Sequence, residues 1–209
     1  AFDLDVSELP CGLNSAVYLV SMESQLESLG VGYADAQCPT DIKYVGDAVN
    51  LRSEPSCSVE VDLAEVNSQA FAWTMHPCVG SDCDKSGADM NAYRQGFVDF
   101  YGPGKQLDSL RPFTVVTRFH ADCVEQLYVQ DGRTLRSPGG NISAASAARW
   151  AASFGDKDGF SEHGGLEALY AKPMVLVLSL WDDPATNMAW LDGTHGTGPG
   201  SKRGPCSSS

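Results

Sequence analysis

Five short apolar runs constrain the fold of this 209-residue chain more than any other feature of its sequence. They are rich in Val, Leu, Tyr, Phe and Trp, which favour β-strands, and clusters of Gly, Pro, Asp and Ser separate them. The runs are SAVYLVSM at 15–22, SVEVDLAEV at 58–66, FTVVTRF at 113–119, QLYVQ at 126–130 and MVLVLSLW at 174–181. We therefore predict an all-β chain that folds as an antiparallel β-sandwich.

Local signals add a hairpin and two helices to this plan. The segment QDGRT at 130–134 contains an Asp-Gly pair, which favours a tight turn between antiparallel strands. Residues 143–154 are rich in alanine, and Ser143 is a residue type typical of a helix N-cap, so we predict a helix there. A shorter helix is predicted at 165–171.

No repeat or linker divides the chain. The longest segments without a regular pattern, 76–112 and 192–209, are predicted to be irregular. Loops of that length in a compact domain are usually functional or tied down. We therefore expect residues 1–209 to form a single domain.

The cysteines indicate a secreted protein. None of the seven belongs to a C-x-x-C unit typical of zinc sites, and wide, irregular spacing in an acidic, Gly-rich chain favours disulfides. Their odd number leaves at least one thiol unpaired. The glycosylation sequon Asn141-Ile142-Ser143 is consistent with secretion. We predict an extracellular, disulfide-bonded glycoprotein.

The charge excludes one class of partner. The formal net charge is −13, whereas binding to nucleic acid requires clustered Lys and Arg. No run of eighteen apolar residues is present, so we expect no segment that spans a membrane. A neutral substrate such as a polysaccharide is compatible with this charge.

Three carboxylates interrupt an apolar strand. The segment SCSVEVDLAEVNSQ at 56–69 carries Glu60, Asp62 and Glu65 in the pattern E-x-D-x-x-E. Residues two apart share a face of a strand, so Glu60 and Asp62 point the same way, while Glu65 has the wrong parity. A β-bulge between residues 62 and 65 would correct the parity, and bulges are frequent beside active sites.

Such a cluster suits acid–base chemistry. Like charges in contact push their pKa values apart, so one carboxyl can stay ionised while another keeps its proton. Two Glu carboxyls about 5–5.5 Å apart would have the geometry of a retaining glycosidase. The same three acids could instead form a solvated strand face, and periodicity leaves both interpretations open.

Ordered blocks along nearly the whole chain match a known family. They include FDLDVSELPCGLNSAVYLVSM, YADAQCPTDIKY, SVEVDLAEVNSQAFAWTMHPC, MNAYRQGFVDFYGPG, LYVQDGRT, MVLVLSLWDDPATNMAWLD and KRGPC. The chain resembles the fungal-type cellulases of glycoside hydrolase family seven, which are cellobiohydrolases and endo-β-1,4-glucanases. The resemblance implies a curved, concanavalin-like jelly roll with a glucan cleft along its concave face and a few short helices in its loops.

The resemblance also implies roles for single residues. Glu60 corresponds to the nucleophile, Glu65 to the general acid/base and Asp62 to a residue that hydrogen-bonds the nucleophile. His76 would lie near Glu65, on the leaving-group side. Further positions match residues that line the cleft, with the two tryptophans as sugar-stacking platforms: Asn14, Tyr18, Gln37, Arg94, Trp181, Trp190 and Arg203.

Disulfide pairs follow from the same resemblance. Cys11 with Cys206, and Cys38 with Cys57, match family disulfides, and Cys78 is expected to pair in the following loop, where Cys83 is the near candidate. Cys123 matches no family cysteine and is our choice for the unpaired thiol. Three histidines match no family position and are predicted to be surface residues: His120, His163 and His195.

The chain departs from the family in several places. It lacks the family's N-terminal part and C-terminal end, so we expect a shortened catalytic domain. Ala64 stands where the family usually has Trp. The loops around 78–90 and 137–160 look short, and Pro184 and Ala185 replace aromatic residues. A poorly roofed cleft is therefore expected, which favours cleavage within a glucan chain.

These observations predict a secreted, monomeric, retaining β-1,4-glucanase that acts on cellulose or related β-glucans, as an endoglucanase rather than a cellobiohydrolase. It would need no metal or organic cofactor and would bind neither nucleic acid nor membranes. Two alternatives stay open. The chain could be a non-catalytic glucan-binding or structural protein on the same scaffold, or a transglycosylase that excludes water from the covalent intermediate.

Overall fold

Two antiparallel sheets packed face to face form the frame of the protein. The computed structural model describes residues 1–21, 33–39, 44–45, 48–49 and 57–207. Within these ranges strands outnumber helices, and every pairing inside the two large sheets is antiparallel. The predicted all-β sandwich is confirmed.

The larger sheet has five strands and is here called the cleft sheet. Its strands are β2 (Leu13–Val20), β5 (Glu60–Val66), β6 (Phe71–His76), β9 (Ala88–Asn91) and β15 (Val175–Asp182), in the spatial order β15-β2-β5-β6-β9. Because side chains alternate across a sheet, β6 directs Phe71, Trp73 and Met75 into the core and Thr74 and His76 to the opposite face. One face is therefore apolar and the other polar.

The smaller sheet covers the apolar face. Its strands are β1 (Phe2–Leu4), β12 (Phe113–Phe119), β13 (Val124–Gln130) and β14 (Arg133–Arg136), in that spatial order. Three short pairs of strands lie in connections: β3 (Tyr44–Val45) with β4 (Ala48–Val49), β7 (Cys78–Val79) with β8 (Asp82–Cys83), and β10 (Tyr101–Gly102) with β11 (Leu107–Asp108). The last pair is parallel.

Aromatic rings join the two sheets. The ring of Phe71 on the cleft sheet lies 5.3 Å from Tyr128 and 6.2 Å from Phe113 on the smaller sheet, measured between centroids. Tyr101 approaches the same ring at 5.6 Å. These tilted and edge-on contacts are the favourable arrangements of aromatic pairs, and large aromatic side chains contribute much of a core's buried apolar area.

The predicted hairpin and helices are confirmed. Asp131 and Gly132, both with positive φ, form the two-residue turn between β13 and β14. Helix α1 (Ala144–Phe154) begins after Ser143, whose hydroxyl accepts a hydrogen bond from the Ser146 N–H. The other helices are α2 (Gly159–Glu162), α3 (Gly165–Tyr170) and α4 (Ala189–Asp192). Among the described residues, no helix has the length and apolar composition needed to cross a membrane.

The segment 76–112 is more regular than the sequence suggests. We predicted it to be irregular, but it contains β7 to β11, and β9 belongs to the cleft sheet. These strands have only two to four residues each, which is too few for alternation to be recognised in the sequence. The strand at 113–119 has the predicted bounds.

Three disulfides join the expected cysteines. They link Cys11 to Cys206, Cys38 to Cys57 and Cys78 to Cys83, and Cys123 is a free thiol. The first of them connects residues 195 positions apart. It therefore ties the tail after α4 to the segment that precedes β2.

An apolar stripe on β15 is exposed. Leu176, Leu178 and Leu180 are 58%, 70% and 64% exposed, respectively. In the antiparallel register Leu176 pairs with Leu19 and Leu178 with Val17, both of which pack against the core, so the stripe lies on the core-facing side. The residues that the structure describes leave this part of the cleft sheet uncovered.

The stripe predicts an unequal response to one substitution at two positions. We expect Leu178→Ala to lower the free energy of unfolding by less than about 1 kcal/mol, because the side chain is already in water. Leu107→Ala should lower it by about 2–5 kcal/mol, because Leu107 is fully buried. Urea unfolding of both variants measures the difference, and a cost at Leu178 equal to that at Leu107 would show that the stripe is covered.

Candidate active site

A β-bulge brings three acids to one face of β5. In the pairing with β2, Tyr18 lies opposite Asp62 while Val17 lies opposite Ala64, so Leu63 is an extra residue. The pairing with β6 also shifts register between Asp62 and Glu65. The predicted bulge is confirmed. Because of it, Glu65 joins the two acids that precede it on the polar face of the cleft sheet.

Each carboxylate has a different hydrogen-bond partner. Glu60 Oε2 accepts from the Ala36 N–H at 3.1 Å, and Glu65 Oε1 accepts from Asn14 Nδ2 at 3.1 Å. Asp62 Oδ2 lies 3.0 Å from His76 Nε2. The expected hydrogen bond from Asp62 to Glu60 is thus replaced by one to His76. In the register of β5 and β6, His76 lies opposite Glu60 rather than opposite Glu65.

The protonation of His76 follows from its neighbours. Its Nδ1 lies 2.8 Å from the carbonyl oxygen of Asp84, which can only accept, so Nδ1 carries a hydrogen. With Nε2 against the Asp62 carboxylate, the ring is suited to be an imidazolium. Burial alone would lower the pKa of His76, but the hydrogen bond to Asp62 and the charges of Asp62 and Glu60 outweigh it and raise the pKa to about 10.

The two glutamates have raised pKa values. Burial, followed by the charge of Asp62, raises the pKa of Glu60 well above its usual range. The same two causes, in the same order, raise the pKa of Glu65 to about 8. The positive charge of His76 opposes both shifts. The face can therefore hold a proton on a carboxyl group at neutral pH, as an acid catalyst requires.

A cleft of about 890 Å³ lies over these acids. Its lining combines aromatic rings with polar side chains, which suits a ligand that has both apolar faces and hydroxyl groups. Six of the predicted site residues outside the acid triplet line it: Tyr18, Gln37, His76, Trp181, Trp190 and Arg203. Asn14 contacts the acid cluster through the hydrogen bond that it donates to Glu65.

The comparisons with known proteins decide the family. The family model for glycosyl hydrolase family 7 matches residues 1–209. The chain belongs to glycosyl hydrolase family 7. The resemblance recognised in the sequence is thus confirmed.

Solved structures of this family align with nearly the whole chain. A family 7 cellobiohydrolase from Daphnia pulex is 33% identical with a TM-score of 0.85, and the alignment covers 99% of this chain and 63% of that one. A Melanocarpus albomyces cellobiohydrolase complexed with cellotetraose is 36% identical with a TM-score of 0.84, at 98% and 62% coverage. The Humicola insolens endocellulase EGI is 32% identical with a TM-score of 0.73, at 98% and 59% coverage. This family 7 chain thus spans less than two thirds of the length of these relatives.

The two tryptophans of this family 7 cleft stack on each other. The rings of Trp181 and Trp190 lie 6.0 Å apart between centroids, at an interplanar angle of 29°. The family resemblance implied that both rings are sugar-stacking platforms. Because each ring covers one face of the other, each has at most its opposite face to offer to a sugar.

Arg94 lies in an adjacent cavity of about 290 Å³ rather than in the main cleft. It stacks over the ring of Phe154, with its guanidinium carbon 4.2 Å from the centroid, and pairs with Asp156 at 2.7 Å. Its Nη1 donates to Asp89 Oδ2, which also accepts from Arg203. Asp89 therefore links the cavity of Arg94 to the cleft.

Several residues that line the cleft were not predicted from the sequence. Asp35 and Tyr33 line the cleft, and the Tyr33 hydroxyl lies 2.8 Å from that of Tyr18. Burial raises the pKa of Asp35, while a hydrogen bond from Tyr33 opposes the shift. His195, predicted as a surface residue only, is exposed but also lines the cleft. No pattern in the sequence distinguishes these residues, because the chain brings them to the cleft from loops.

Glu60, Asp62 and His76 also have the residue types of a metal site. Among the described residues, their ligand atoms lie within 4.8 Å of one another. However, Nδ1 of His76 is bonded to the Asp84 carbonyl and Nε2 to Asp62, so the ring offers no free lone pair. The cluster is better suited to hold protons than a cation.

The raised pKa values predict that alkali destabilises the fold. A group whose pKa is higher in the folded than in the unfolded state contributes fully to stability at pH values below its unfolded pKa. This contribution is lost as the pH rises towards the folded pKa. For Glu65 this window runs from about 4.5 to about 8, and for His76 from 6.5 to about 10. We expect the free energy of unfolding to fall by several kcal/mol between pH 5 and 8, measured by urea unfolding.

A matched variant separates the contribution of Glu65. Glu65→Gln keeps the size of the side chain and removes its titration, so its loss of stability between pH 5 and 8 should be smaller than that of the unmodified chain. Stability that is constant or rises over this range would contradict the prediction.

Proposed function

We propose that this chain hydrolyses β-1,4-glucosidic bonds with retention of configuration, with Glu60 as nucleophile and Glu65 as general acid/base. The observation that carries the proposal is the bulge of β5, which places two glutamates with raised pKa values on one face beneath an aromatic-lined cleft. The relatives named above as cellobiohydrolases and an endocellulase support the reaction class. The cellotetraose complex of one of them supports a cello-oligosaccharide as ligand.

The first half-reaction needs one ionised and one protonated glutamate. Burial and the charge of Asp62 raise the pKa of Glu60, whereas the Ala36 N–H and the imidazolium of His76 oppose this shift and favour the ionised form that the attack requires. Glu65, with a pKa of about 8, keeps its proton at neutral pH. Glu60 then attacks the anomeric carbon while Glu65 gives its proton to the leaving oxygen, which forms a glycosyl-enzyme ester.

The second half-reaction reverses these roles. The departure of the proton leaves Glu65 as a carboxylate beside the buried charge of Asp62, which favours its return to the protonated form. It therefore takes a proton from water, and the resulting hydroxide equivalent attacks the anomeric carbon and releases Glu60. Two inversions give net retention. Asp62 holds the His76 imidazolium that balances the charge of Glu60.

Cleavage within the glucan chain is the finer part of the proposal. The hairpin of β7 and β8 has strands of only two residues, and Pro184 and Ala185 are exposed between the two tryptophans. Among the described residues, these short strands and small side chains favour a cleft that a glucan chain can enter from the side. The matching relatives include both cellobiohydrolases and an endocellulase, so this choice rests on the local structure.

The proposal also includes the cellular compartment and the oligomeric state. Three disulfides favour an oxidising, extracellular compartment. Asn141 is exposed at the start of the sequon, as glycosylation requires. We propose a secreted, glycosylated monomer that meets its polysaccharide outside the cell.

A non-catalytic glucan-binding protein is the second candidate. It is favoured by the apolar stripe on β15, which the described residues leave uncovered. Such a protein would use the aromatic lining of the cleft but not its acids.

Substitution of the two glutamates tests the reaction. We expect Glu60→Gln to reduce sugar release from soluble β-glucan by about 10³-fold or more, because the nucleophile is lost. Glu65→Gln should lose activity on glucan but keep more of it on a substrate with a good leaving group, which needs no protonation. Rates are measured by reducing-sugar release, and the anomer formed first by NMR.

Glu125→Gln is the matched control, because Glu125 is also buried and lies on the smaller sheet. It should keep the rate of the unmodified chain. A folded, unmodified chain that binds glucan but releases no sugar would overturn hydrolysis and leave the glucan-binding candidate.

The mode of cleavage gives a separate prediction. An enzyme that cuts within chains lowers the viscosity of a soluble glucan long before many reducing ends accumulate. We expect the viscosity to fall steeply while only a small share of the bonds has been cut. A fall in viscosity that only tracks the release of cellobiose would instead indicate a cellobiohydrolase.

A further inference from the structure

The loop that follows β8 contacts both sides of the acid cluster. It consists of Asp84, Lys85, Ser86 and Gly87, and is here called the 84–87 loop. Its Asp84 carbonyl accepts the hydrogen bond from His76 Nδ1 at 2.8 Å. This is the contact that keeps a hydrogen on Nδ1 and so directs Nε2 to Asp62.

The same loop holds the turn that supports Glu60. Gln37 Nε2 donates to the Lys85 carbonyl at 2.9 Å, and Lys85 Nζ donates to the Gln37 carbonyl at 3.2 Å. Gln37 directly follows Ala36, whose N–H donates to the Glu60 carboxylate. A shift of the loop would therefore disturb both His76 and the main chain that binds Glu60.

The loop is itself fixed at several points. The Cys78–Cys83 disulfide precedes it, and the Asp84 N–H donates to the Pro77 carbonyl at 3.0 Å. Within the loop, the Gly87 N–H donates to Asp84 Oδ1 at 3.0 Å. On the far side, a Cβ added to Gly159 would meet the same Oδ1 at 2.5 Å, so α2 packs directly against the Asp84 carboxylate.

Gly87 allows the loop to lie against the His76 ring. Its φ is +69°, and an added Cβ would lie 2.7 Å from His76 Nδ1 and 2.5 Å from Thr74 Cγ2. Any other L-residue would therefore push the ring or the loop out of place. Gly104 has nearly the same φ, +67°, but an added Cβ there meets nothing within 4 Å.

We propose that the 84–87 loop is a positioning element that keeps His76 doubly protonated and Glu60 in place, with Gly87 as its critical residue. The catalytic consequence rests on the proposed function, whereas the effect on His76 does not. The loop touches no reacting atom in this mechanism. It acts through His76 and through the turn at 35–37.

The charges around His76 make its protonation consequential. Glu60, Asp62 and Glu65 face it from β5, and Asp35 interacts with it from the turn. All four are acidic and favour the imidazolium, whose charge in turn favours the ionised form of Glu60. Among the described residues, the other charged or titratable groups that line the same cleft are Tyr18, Tyr33, Lys85, Asp89, His195 and Arg203.

Histidine NMR tests the proposal directly. The chain is labelled with ¹⁵N at its histidine rings, and the His76 signals are assigned by their loss in His76→Gln. In the unmodified chain we expect both ring nitrogens to stay protonated through pH 8. Gly87→Ala should lower the pKa of His76 by at least one unit, whereas Gly104→Ala, with the same backbone strain and no clash, should leave it unchanged.

A second pair of variants covers the case in which Gly87→Ala does not fold. Asp84→Ala removes the acceptor of the Gly87 N–H and should also lower the pKa of His76. Asp84→Asn keeps that acceptor and removes only the charge, so its effect should be smaller. A folded Gly87→Ala or Asp84→Ala chain in which His76 titrates as in the unmodified chain would overturn the proposal.

Kinetics then separate this inference from the proposed function. With an active chain, Gly87→Ala should reduce kcat/KM by about 10-fold or more and move its acid limb to higher pH, because displacement of the His76 ring and of the turn at 35–37 weakens their support of ionised Glu60. An inactive unmodified chain would refute hydrolysis, while the NMR result would still decide the role of the loop. If the unmodified chain is active and Gly87→Ala has the same kinetics, the catalytic role of the loop is refuted, whereas the proposed hydrolysis is not.

Discussion

The buried imidazolium of His76 is the charge on which the polar face of the cleft sheet depends. Glu60, Asp62 and His76 are all less than a tenth exposed, and transfer of an isolated carboxylate into such a place is strongly unfavourable. The positive charge of the ring offsets this cost, because it bonds directly to Asp62 and interacts electrostatically with both glutamates. A strand that would otherwise have to neutralise all of its acids can thus keep some of them ionised.

This arrangement depends on main-chain geometry more than on side-chain pairs. The bulge at Leu63 adds one residue to β5, and without it Glu65 would point into the apolar core. Main-chain groups also complete the site, since the Ala36 N–H binds Glu60 and the Asp84 carbonyl binds His76. Side chains of the acid cluster are therefore oriented by loops that come from distant parts of the sequence.

How much of the fold could be predicted from the sequence also depends on the difference between local and distant interactions. Elements with a local signal were predictable: the alternation of 113–119, the Asp-Gly turn of β13 and β14, and the Ser143 cap of α1. The parity of Glu65 even indicated the bulge. Strand β9 was not predicted, because it is only four residues long and forms by pairing with β6, its neighbour in the sheet.

Residues of the site show where sequence reasoning ends. The acid triplet was recognisable because its members are neighbours along one strand, and six further residues of the cleft lining were accessible through family resemblance. Arg94 was expected to line the cleft but lies in the adjacent cavity, where its partner Asp156 and its stacking ring Phe154 come from some sixty residues further along the chain. His195 was dismissed because nothing local separates a loop histidine that lines a cleft from one that does not.

The bond between Cys11 and Cys206 turns most of the polypeptide into a covalent ring. A protease that cuts one peptide bond between these two positions opens the ring but releases no fragment. The nicked chain would keep its mass apart from one water molecule and, where the cut falls in an exposed loop, much of its packing as well. Two cuts, or one cut together with a reductant, are needed to separate the pieces. For a protein proposed to work outside the cell, single nicks would therefore be tolerated where an open chain would lose a segment.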